Sequence, residues 1–519
     1  MKKKLPLGIQ TFEEIRDPRE NYVYIDKTGI AFDLISNLKY VFLSRPRRFG
    51  KSLFLDTLAC LFEGKKQLFE GLAIHDRWDW SESWPVIRIS FGSGEYPSAK
   101  HTEDKMYEEL RNNASSLGVD AYIEHSNSPG ISFERLINCT VQKYGKKVVI
   151  LVDEYDKPIL DTITEKEKAS EIRGSLGGFY SAIKSNDRHV RFAMLAGVSK
   201  FTRLSLFSHL NNLTDITTKR KYATITGYTH ADLLREFGSW FDGVDMEEVR
   251  RWYNGYNYFG EPIYNPFDIL QFLNNECLFQ NYWWETGNPR FLVELLAAQP
   301  RYLPDLENMV VSEEILNSFD VEYIDLCALL WQTGYLTFDK EINLFNRISY
   351  KLKVPNIEIQ SSLNSLFFDY LASVKVDKSL IMNDVAFALY SKDIKTVHTK
   401  LFSLFASISH HNYSNNIIAT FEGYYASVMF AFMASLGFDV VAEDTTNHGR
   451  IDMTIKVPGR VYIVEFKVDM PAEAALAQCH ERRYHEKYLA DGRPITLVGI
   501  HFDSQKRNIA AFEVEDVIK

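Results

Sequence analysis

The first half of the chain alternates short apolar runs with longer amphipathic segments. The runs are rich in β-branched and aromatic residues and lie at 40–44, 86–91, 148–153, 191–197 and 222–226. Between them, segments such as SLFLDTLACLFEG place apolar residues at helical spacing. Continuous apolar strands separated by helices predict a mainly parallel sheet with both faces covered. The predicted fold class is therefore α/β.

The second half is organised differently. Helical patterns fill about 228–300, and IDLCALLWQTGYLTF followed by RISYKLKVPN predicts a helix, a glycine turn and two strands. That order suits a small winged-helix module, although many α+β segments share it. A helical connector, about 361–410, leads to the hairpin IDMTIKVPGRVYIVEFK and a final strand, ITLVGIHFD.

Composition narrows the class of protein. The 519 residues are 45% hydrophobic and 25% charged, as in a globular protein of several domains. A net charge of −10 argues against a chain coated in positive charge, but a local groove can still be basic. The five cysteines form no C-x-x-C pair, and no signal peptide or membrane-length run is present. We expect a cytoplasmic protein with no membrane partner.

The stretch SRPRRFGKSLF, residues 44–54, ends like a phosphate-binding loop. Gly50, Lys51 and Ser52 follow a strand and run into an apolar helix. Lysine is suited to the β and γ phosphates, the serine hydroxyl to Mg²⁺, and the helix N-terminus to an anion. Arg45 stands where the usual pattern has glycine, so the loop alone is an incomplete match.

A second motif supports the nucleotide site. KKVVILVDEYD is an apolar strand that ends in Asp153 and Glu154. We predict that Asp153 holds Mg²⁺ and that Glu154 polarises the attacking water. The strand RFAMLAGVSK ends at Ser199, which could sense the γ-phosphate. The alternative is a plain helix start and a surface strand end, but both motifs in order favour a site for ATP and Mg²⁺.

Each of four arginines has two possible interpretations. Arg45, Arg47 and Arg48 either contact phosphate or face an acidic partner, and Arg203 is either an arginine finger or a solvated loop residue.

A carboxylate–lysine pattern lies near the C-terminus. Asp452 begins one strand of the hairpin, and Glu465 and Lys467 share one face of the returning strand. Asp452 and Glu465 could share a Mg²⁺, with the carbonyl of Phe466 as a further hard ligand. Lys467 could orient or deprotonate the attacking water, which suits metal-assisted phosphodiester hydrolysis.

Two flanking residues strengthen this pattern. Glu422, in the helical TFEGYYASVMF, could add a carboxylate, and Gln478 lies in the helix EAALAQCHERRYHEKYLA. A surface hairpin with a cross-strand salt bridge is the alternative, and the flanking residues favour the catalytic interpretation.

With both sites located, the chain resembles a bacterial family of predicted, AAA-ATPase-like proteins fused to a C-terminal PD-(D/E)XK nuclease-superfamily domain. The likeness covers nearly the full length and rests on RPRRFGKSL, VILVDEYDKPI, LAGVSKFTRLSLFSHLNNLTDIT, WYNGYNY, WQTGYLT, GRIDM and EFK, among others. The family commonly writes its loop as R-P-R-R-F-G-K-S. The resemblance carries over Lys51, Ser52, Asp153 and Glu154 to the ATP–Mg²⁺ site, and Asp452, Glu465, Lys467, Glu422 and Gln478 to the nuclease site.

The resemblance implies four regions. They are a P-loop domain at 1–228, a helical lid at 229–300, a winged-helix-like region with a helical connector at 301–410, and an α/β restriction-endonuclease-like domain at 411–519. We expect an ATPase coupled to a Mg²⁺-dependent nuclease that acts on nucleic acid, expected to be DNA. The alternatives are a non-enzymatic ATP-dependent switch and a hexameric remodelling motor. The sequence leaves the oligomeric state open.

Overall fold

The chain folds into two compact units in the computed structural model, which describes residues 3–120, 123, 128–200, 212–283, 309–312, 316, 325–344, 347–372, 378–408 and 422–517. Unit 1 comprises Met1–Phe291 and Val310–Ile357, and unit 2 comprises Leu292–Met309 and Glu358–Lys519. The described residues of the predicted lid lie in unit 1, and those of the predicted nuclease-like domain lie in unit 2.

Unit 1 alternates strands and helices, as its sequence pattern predicts. Its helices are α1 (Phe12–Ile15), α2 (Thr28–Asn37), α3 (Lys51–Phe62), α4 (Ala99–Ser116), α5 (Pro129–Tyr144), α6 (Lys157–Leu160), α7 (Lys166–Ser185), α8 (His230–Phe237), α9 (Met246–Tyr253), α10 (Pro266–Asn274) and α11 (Leu326–Thr333). Its strands are β1 (Tyr40–Ser44), β2 (Val86–Ser90), β3 (Val148–Asp153), β4 (Val190–Gly197), β5 (Thr214–Asp215), β6 (Val310–Ser312), β7 (Thr337–Leu344) and β8 (Arg347–Lys353).

The main sheet of unit 1 is parallel throughout, in the order β2-β3-β4-β1-β5. Alternate residues such as Val41 and Leu43 pack into a core with α2 and α3. On the opposite face Phe42 meets Tyr155 edge-to-face, with 5.4 Å between ring centroids. Apolar side chains on both faces explain why these strands read as continuous hydrophobic runs. The parallel sheet is confirmed.

The exposed edge of β2 is closed by side chains of α4. Asn113 Oδ1 accepts from the Arg88 N–H at 2.8 Å, and Asn113 Nδ2 donates to the Arg88 carbonyl at 2.6 Å. Glu109 Oε2 accepts from the Ser90 N–H at 3.1 Å. One side-chain amide thus imitates a neighbouring strand, which keeps the edge from pairing with another chain.

The prediction of a strand at 222–226 is wrong. That stretch starts at the last residue of a 3₁₀ turn, Arg220–Tyr222, and the place beside β1 is taken by the two-residue β5. Tyr222 and Ile225 are buried in the core, so their hydrophobicity serves packing and not sheet pairing.

The predicted helix, glycine turn and two strands of the middle region are confirmed. Gly334 ends α11 with a φ of 92° and leads into the antiparallel pair β7 and β8. With β6 these strands form a three-stranded sheet in the order β6-β8-β7.

Unit 2 consists of helices around a second sheet. The helices are α12 (Ile357–Ala372, which begins at the unit boundary), α13 (Lys378–Ser391), α14 (Ile394–Ala406), α15 (Glu422–Ser435) and α16 (Ala472–Glu481). The strands are β9 (Asp439–Thr446), β10 (Gly449–Val457), β11 (Arg460–Val468), β12 (Ile495–Asp503) and β13 (Asn508–Asp516).

The sheet of unit 2 is mixed, in the order β13-β12-β11-β10-β9. Only the β11–β12 pair is parallel, and the other three pairs are antiparallel. Phe502 of β12 stacks on Tyr425 of α15 on one face, with 4.5 Å between ring centroids. The other face carries α16, whose Cys479 packs with Ile463 and Leu497. The β10–β11 hairpin is confirmed, whereas β9 and β13 are additional strands.

Two further features concern the chain as a whole. All five cysteines are free thiols. Within the described ranges, no helix combines the length and the apolar character needed to cross a lipid bilayer.

Replacing Asn113 with alanine should open the β2 edge. The Arg88 N–H and carbonyl lose their partner, so we expect unit 1 to lose about 1–2 kcal/mol of stability. Hydrogen exchange should become faster across β2. Asn112→Ala, at an exposed position of the same helix, is the matched control. Unchanged exchange in Asn113→Ala would contradict this account of the edge.

Candidate active sites

The parallel register brings the predicted nucleotide-binding residues to one edge of the sheet. Ser44 pairs with Gly197, and Ser90 pairs with Asp153, so these strands end at the same level. The loops after β1, β3 and β4 therefore meet at the carboxyl edge, where open α/β sheets bind ligands.

Gly50 and Lys51 form the start of α3. Gly50 has a φ of 82°, a conformation that favours glycine, and Lys51 is the first helical residue. Lys51 is only 7% exposed, and its Nζ donates to the carbonyls of Arg45 at 2.9 Å and Pro46 at 2.8 Å. Burial lowers the pKa of Lys51, while Asp153 raises it. Ser52 follows in the same turn and is partly exposed.

Glu154 occupies a backbone conformation that is unusual for a non-glycine residue. Its φ is 49°, and its N–H donates to Asp153 Oδ1 at 2.9 Å. Its carboxyl group lies beside Gly92, where an added Cβ would sit 3.4 Å from Glu154 Cδ. Burial raises the pKa of Glu154, and Asp153 raises it further. Such a conformation costs free energy of order 1–3 kcal/mol, which is typical of residues held for function.

Ser199 lies at this edge, but its hydroxyl is already engaged. It is fully buried, and its Oγ donates to the carboxylate of Asp156. The same carboxylate accepts from the N–H groups of Val198, at 3.0 Å, and Ser199, at 2.5 Å. Asp156 is 1% exposed, and burial raises its pKa although the Ser199 hydrogen bonds oppose the rise. The role of Ser199 as a γ-phosphate sensor stays a prediction.

Gly197 allows the ends of β3 and β4 to pack closely together. A Cβ at Gly197 would lie 2.4 Å from Asp156 Oδ1 and 2.5 Å from the ring of Tyr155. The Tyr155 hydroxyl donates to the carbonyl of Ser199 at 2.8 Å, and the Tyr180 hydroxyl donates to the carbonyl of Tyr155 at 3.0 Å. The ends of β3 and β4 are thus locked together next to Lys51.

The arginines of the loop have different environments. Arg45 is buried, whereas Arg47 and Arg48 are exposed. Arg203 lies outside the described residues.

The carboxylate–lysine site lies where β10 and β11 separate. The last paired residues are Met453 and Val464. Asp452 precedes Met453 and lies just beyond this last pair. There Asp452 Oδ2 accepts from the backbone N–H of Phe466 at 2.7 Å. This bond fixes the first carboxylate against the strand that carries the second.

Glu465 is the buried centre of this site. It is 1% exposed, and its Oε1 accepts from Gln478 Nε2 and lies 3.4 Å from Lys467 Nζ. Its other oxygen, Oε2, is buried with no hydrogen-bond donor among the described residues. Burial raises the pKa of Glu465, Asp452 raises it further, and Lys467 opposes the rise. The structure therefore brings Asp452, Glu465, Lys467 and Gln478 together.

Gly499 lets α16 reach this site. It pairs with Glu465 across β11 and β12, and a Cβ there would lie 2.5 Å from the carbonyl oxygen of Ala472. Because the helix approaches so closely, Gln478 can donate to Glu465. Tyr484, which follows α16, donates from its hydroxyl to the carbonyl of Arg450 at 2.8 Å and lies 3.4 Å from Gln478 Nε2.

Glu422 is the first residue of α15, and the prediction for its carboxylate lies outside the described side chains. Among the side chains that are described, no three His, Cys, Asp or Glu form a group that could hold a metal ion. Of the metal ligands predicted for unit 2, Asp452 and Glu465 have described side chains.

Two family models match the chain, one described as Predicted AAA-ATPase over residues 6–207 and one as PD-(D/E)XK nuclease superfamily over residues 420–512. An Azotobacter chroococcum mcd 1 protein, "Uncharacterized protein in vnfD 5'region", is 47% identical over 522 residues, which cover 99% of each chain. The chain belongs to this family of predicted AAA-ATPases with a C-terminal PD-(D/E)XK nuclease domain. The family resemblance seen in the sequence is confirmed. No solved structure matches the chain.

In this predicted AAA-ATPase, both sets of predicted residues fall inside the matched segments. The AAA-ATPase match contains the loop after β1 and the ends of β3 and β4, and the nuclease match contains the hairpin and α16. Sequence reasoning missed Asp156, Gly197 and Gly499. Asp156 had a signal, since it is a third acidic residue directly after the strand, in DEYDKP. The two glycines had none.

Replacing Gly197 with alanine should disturb the nucleotide edge of the predicted AAA-ATPase. Its Cβ would overlap Asp156 and Tyr155, so we expect unit 1 to lose about 1–3 kcal/mol of stability. Gly174→Ala is the matched control, because a Cβ at this position of α7 meets nothing within 4 Å. That change should stabilise the helix by about 0.5–1 kcal/mol. Thermal unfolding would compare them, and equal melting temperatures would contradict the predicted overlap.

Proposed function

We propose that this predicted AAA-ATPase turns over ATP in unit 1 and hydrolyses phosphodiester bonds, expected in DNA, with Mg²⁺ in unit 2. The observation that carries the proposal is the buried Glu465, with Asp452 and Lys467 beside it and one carboxylate oxygen unused. The free thiols support a cytoplasmic location.

The residues of unit 2 fit a divalent metal ion. Glu465 is a buried carboxylate with a raised pKa, and its Oε2 has no hydrogen-bond donor among the described residues. Carboxylate oxygens are the ligands that Mg²⁺ prefers. When bound, the ion supplies Lewis acidity and a water with a lowered pKa. Asp452 and Glu465 would hold it. The Lys467 ammonium group would orient the attacking water, and Gln478 would keep Glu465 in position.

The residues of unit 1 fit a nucleotide. Lys51 is a buried cation whose described hydrogen bonds go to two neutral carbonyls, so phosphate oxygens are stronger partners for it. The start of α3 adds the favourable end of a helix dipole. When bound, ATP with Mg²⁺ supplies the transferable phosphoryl group and its counter-charge. Glu154 would orient the attacking water, and Asp153 and Ser52 would face the metal ion.

The nuclease proposal predicts that Asp452→Ala and Lys467→Ala reduce cleavage at least 100-fold. The first removes a metal ligand, and the second removes the cation beside Glu465. Nicking of supercoiled plasmid with Mg²⁺ or Mn²⁺, with and without ATP, measures the effect.

Lys506→Ala is the control for Lys467→Ala. Its side chain is 78% exposed in the turn between β12 and β13, so cleavage should stay within about twofold of wild type. Wild-type cutting by Asp452→Ala would exclude the nuclease assignment. ATP binding without cleavage of any DNA or RNA would favour a non-enzymatic switch.

The ATPase proposal predicts that Lys51→Met abolishes phosphate release. Methionine keeps the buried volume and removes the charge, so turnover should fall at least 100-fold while the fold is retained. Lys219→Ala, at an exposed position of unit 1, should leave turnover unchanged. Turnover by Lys51→Met at the wild-type rate would refute the nucleotide site.

A further inference from the structure

The three arginines of the R-P-R-R-F-G-K-S loop differ in their contacts: Arg45 is buried in the protein interior, whereas Arg47 and Arg48 are exposed. Arg45 is 1% exposed, and its Nη1 donates to the carbonyls of Ser44 and Thr217, each at 2.9 Å. Its guanidinium carbon lies 3.6 Å from the ring centroid of Tyr258. Burial lowers the pKa of Arg45 to about 10. This side chain anchors the loop and is not available to a ligand.

Arg48 is turned towards α10. Its backbone φ is 65°, and its guanidinium carbon lies 3.9 Å from the ring centroid of Phe267, the second residue of that helix. Burial lowers the pKa of Arg48, and Asp268 of the same helix opposes this. Stacking on an aromatic ring is a favourable arrangement for an arginine and gives Arg48 a structural task.

Arg47 has an exposed side chain on a fixed backbone. Its carbonyl accepts from Trp283 Nε1 at 3.2 Å. Pro46, the residue before Arg47, packs closely against Gly334. A Cβ added at Gly334 would lie 2.6 Å from Pro46 Cγ. The carbonyl of Pro46 in turn holds Lys51 Nζ at 2.8 Å. The loop therefore presents the Arg47 side chain from a position directly beside the ammonium group of Lys51.

The backbone of Arg47 lies next to the ammonium group of the lysine that is proposed to bind phosphate. Glu154 is the residue proposed to orient the attacking water, which must approach the terminal phosphate. Arg47 directly follows the carbonyl that holds Lys51 Nζ, and Lys51 is the residue suited to the β and γ phosphates, so the Arg47 side chain starts at the terminal-phosphate end of the site.

We infer that Arg47 binds the terminal phosphate of ATP and makes the site distinguish ATP from ADP. The inference rests on the proposed ATP site. A guanidinium group can donate two parallel hydrogen bonds to one phosphate, which lysine cannot do. Arg45 and Arg48 hold the loop so that Arg47 faces the ligand.

The test is nucleotide affinity measured by calorimetry on the full chain. The ligands are Mg²⁺ with ADP and Mg²⁺ with a non-hydrolysable ATP analogue. Arg47→Ala should weaken binding of the ATP analogue about 10- to 100-fold, the range for hydrogen bonds to a charged group, and leave ADP binding within about twofold. Arg47→Lys should recover part of the preference for the ATP analogue. Arg135→Ala, at an exposed position of α5, is the control and should change neither affinity.

Each other outcome has a definite meaning. Equal weakening of both ligands, or no change in either, would overturn the role of Arg47 while leaving the ATP site intact. A wild-type chain that binds neither nucleotide would overturn the proposed ATP site and this inference with it. Thermal unfolding of Arg47→Ala should match wild type, because the side chain is exposed; a lower melting temperature would instead assign Arg47 to the stability of the loop.

Discussion

The nucleotide edge of unit 1 depends on one buried carboxylate, that of Asp156. A buried charge destabilises a protein unless hydrogen bonds replace its lost water. Asp156 obtains them from Val198 and from both the backbone and the hydroxyl of Ser199, so the loop after β3 cannot separate from the end of β4 without exposing an unsatisfied charge. The same negative charge favours the ammonium form of Lys51. The carboxylate of Asp156 thus fixes two loops and supports the charge of Lys51 near them.

Unit 2 contains a second buried carboxylate beside a lysine, and the contrast between the two is informative. Asp156 is surrounded by donors, which is the state of a carboxylate with a structural role. Among the described residues, the hydrogen-bond donors to Glu465 all meet Oε1, and the charge of Asp452 repels that of Glu465. A buried carboxylate with one unsatisfied oxygen destabilises the fold unless another group satisfies that oxygen. The divalent cation proposed for this site would do so, because it would satisfy the orphaned oxygen and remove the repulsion between the two carboxylates.

The sequence predicts those parts of the fold in which local pattern and tertiary role agree. The parallel strands and the β10–β11 hairpin are such cases, because each is an unbroken apolar or alternating run ended by a turn residue. The prediction failed at 222–226, where Arg45 takes the carbonyl of Thr217 and also reaches that of Tyr222, so the apolar residues pack around a turn. The edge strands β9 and β13 were missed because their half-exposed, charged residues give no clear period. The residues that depend on close approach, Gly197 and Gly499, carry a steric requirement that no local pattern displays.

The arginine in place of the usual first glycine shows how this loop replaces flexibility with side-chain anchoring. Glycine in a phosphate loop supplies positive φ at little cost. Here the positive φ values fall on Arg48 and Gly50, and a non-glycine residue in that conformation costs about 1–2 kcal/mol. Two contacts offset the cost, since Arg48 stacks on Phe267 and Arg45 binds carbonyls inside the protein. Changing Arg45 to glycine would therefore remove an anchor from the loop, even though it would bring the sequence closer to the usual motif.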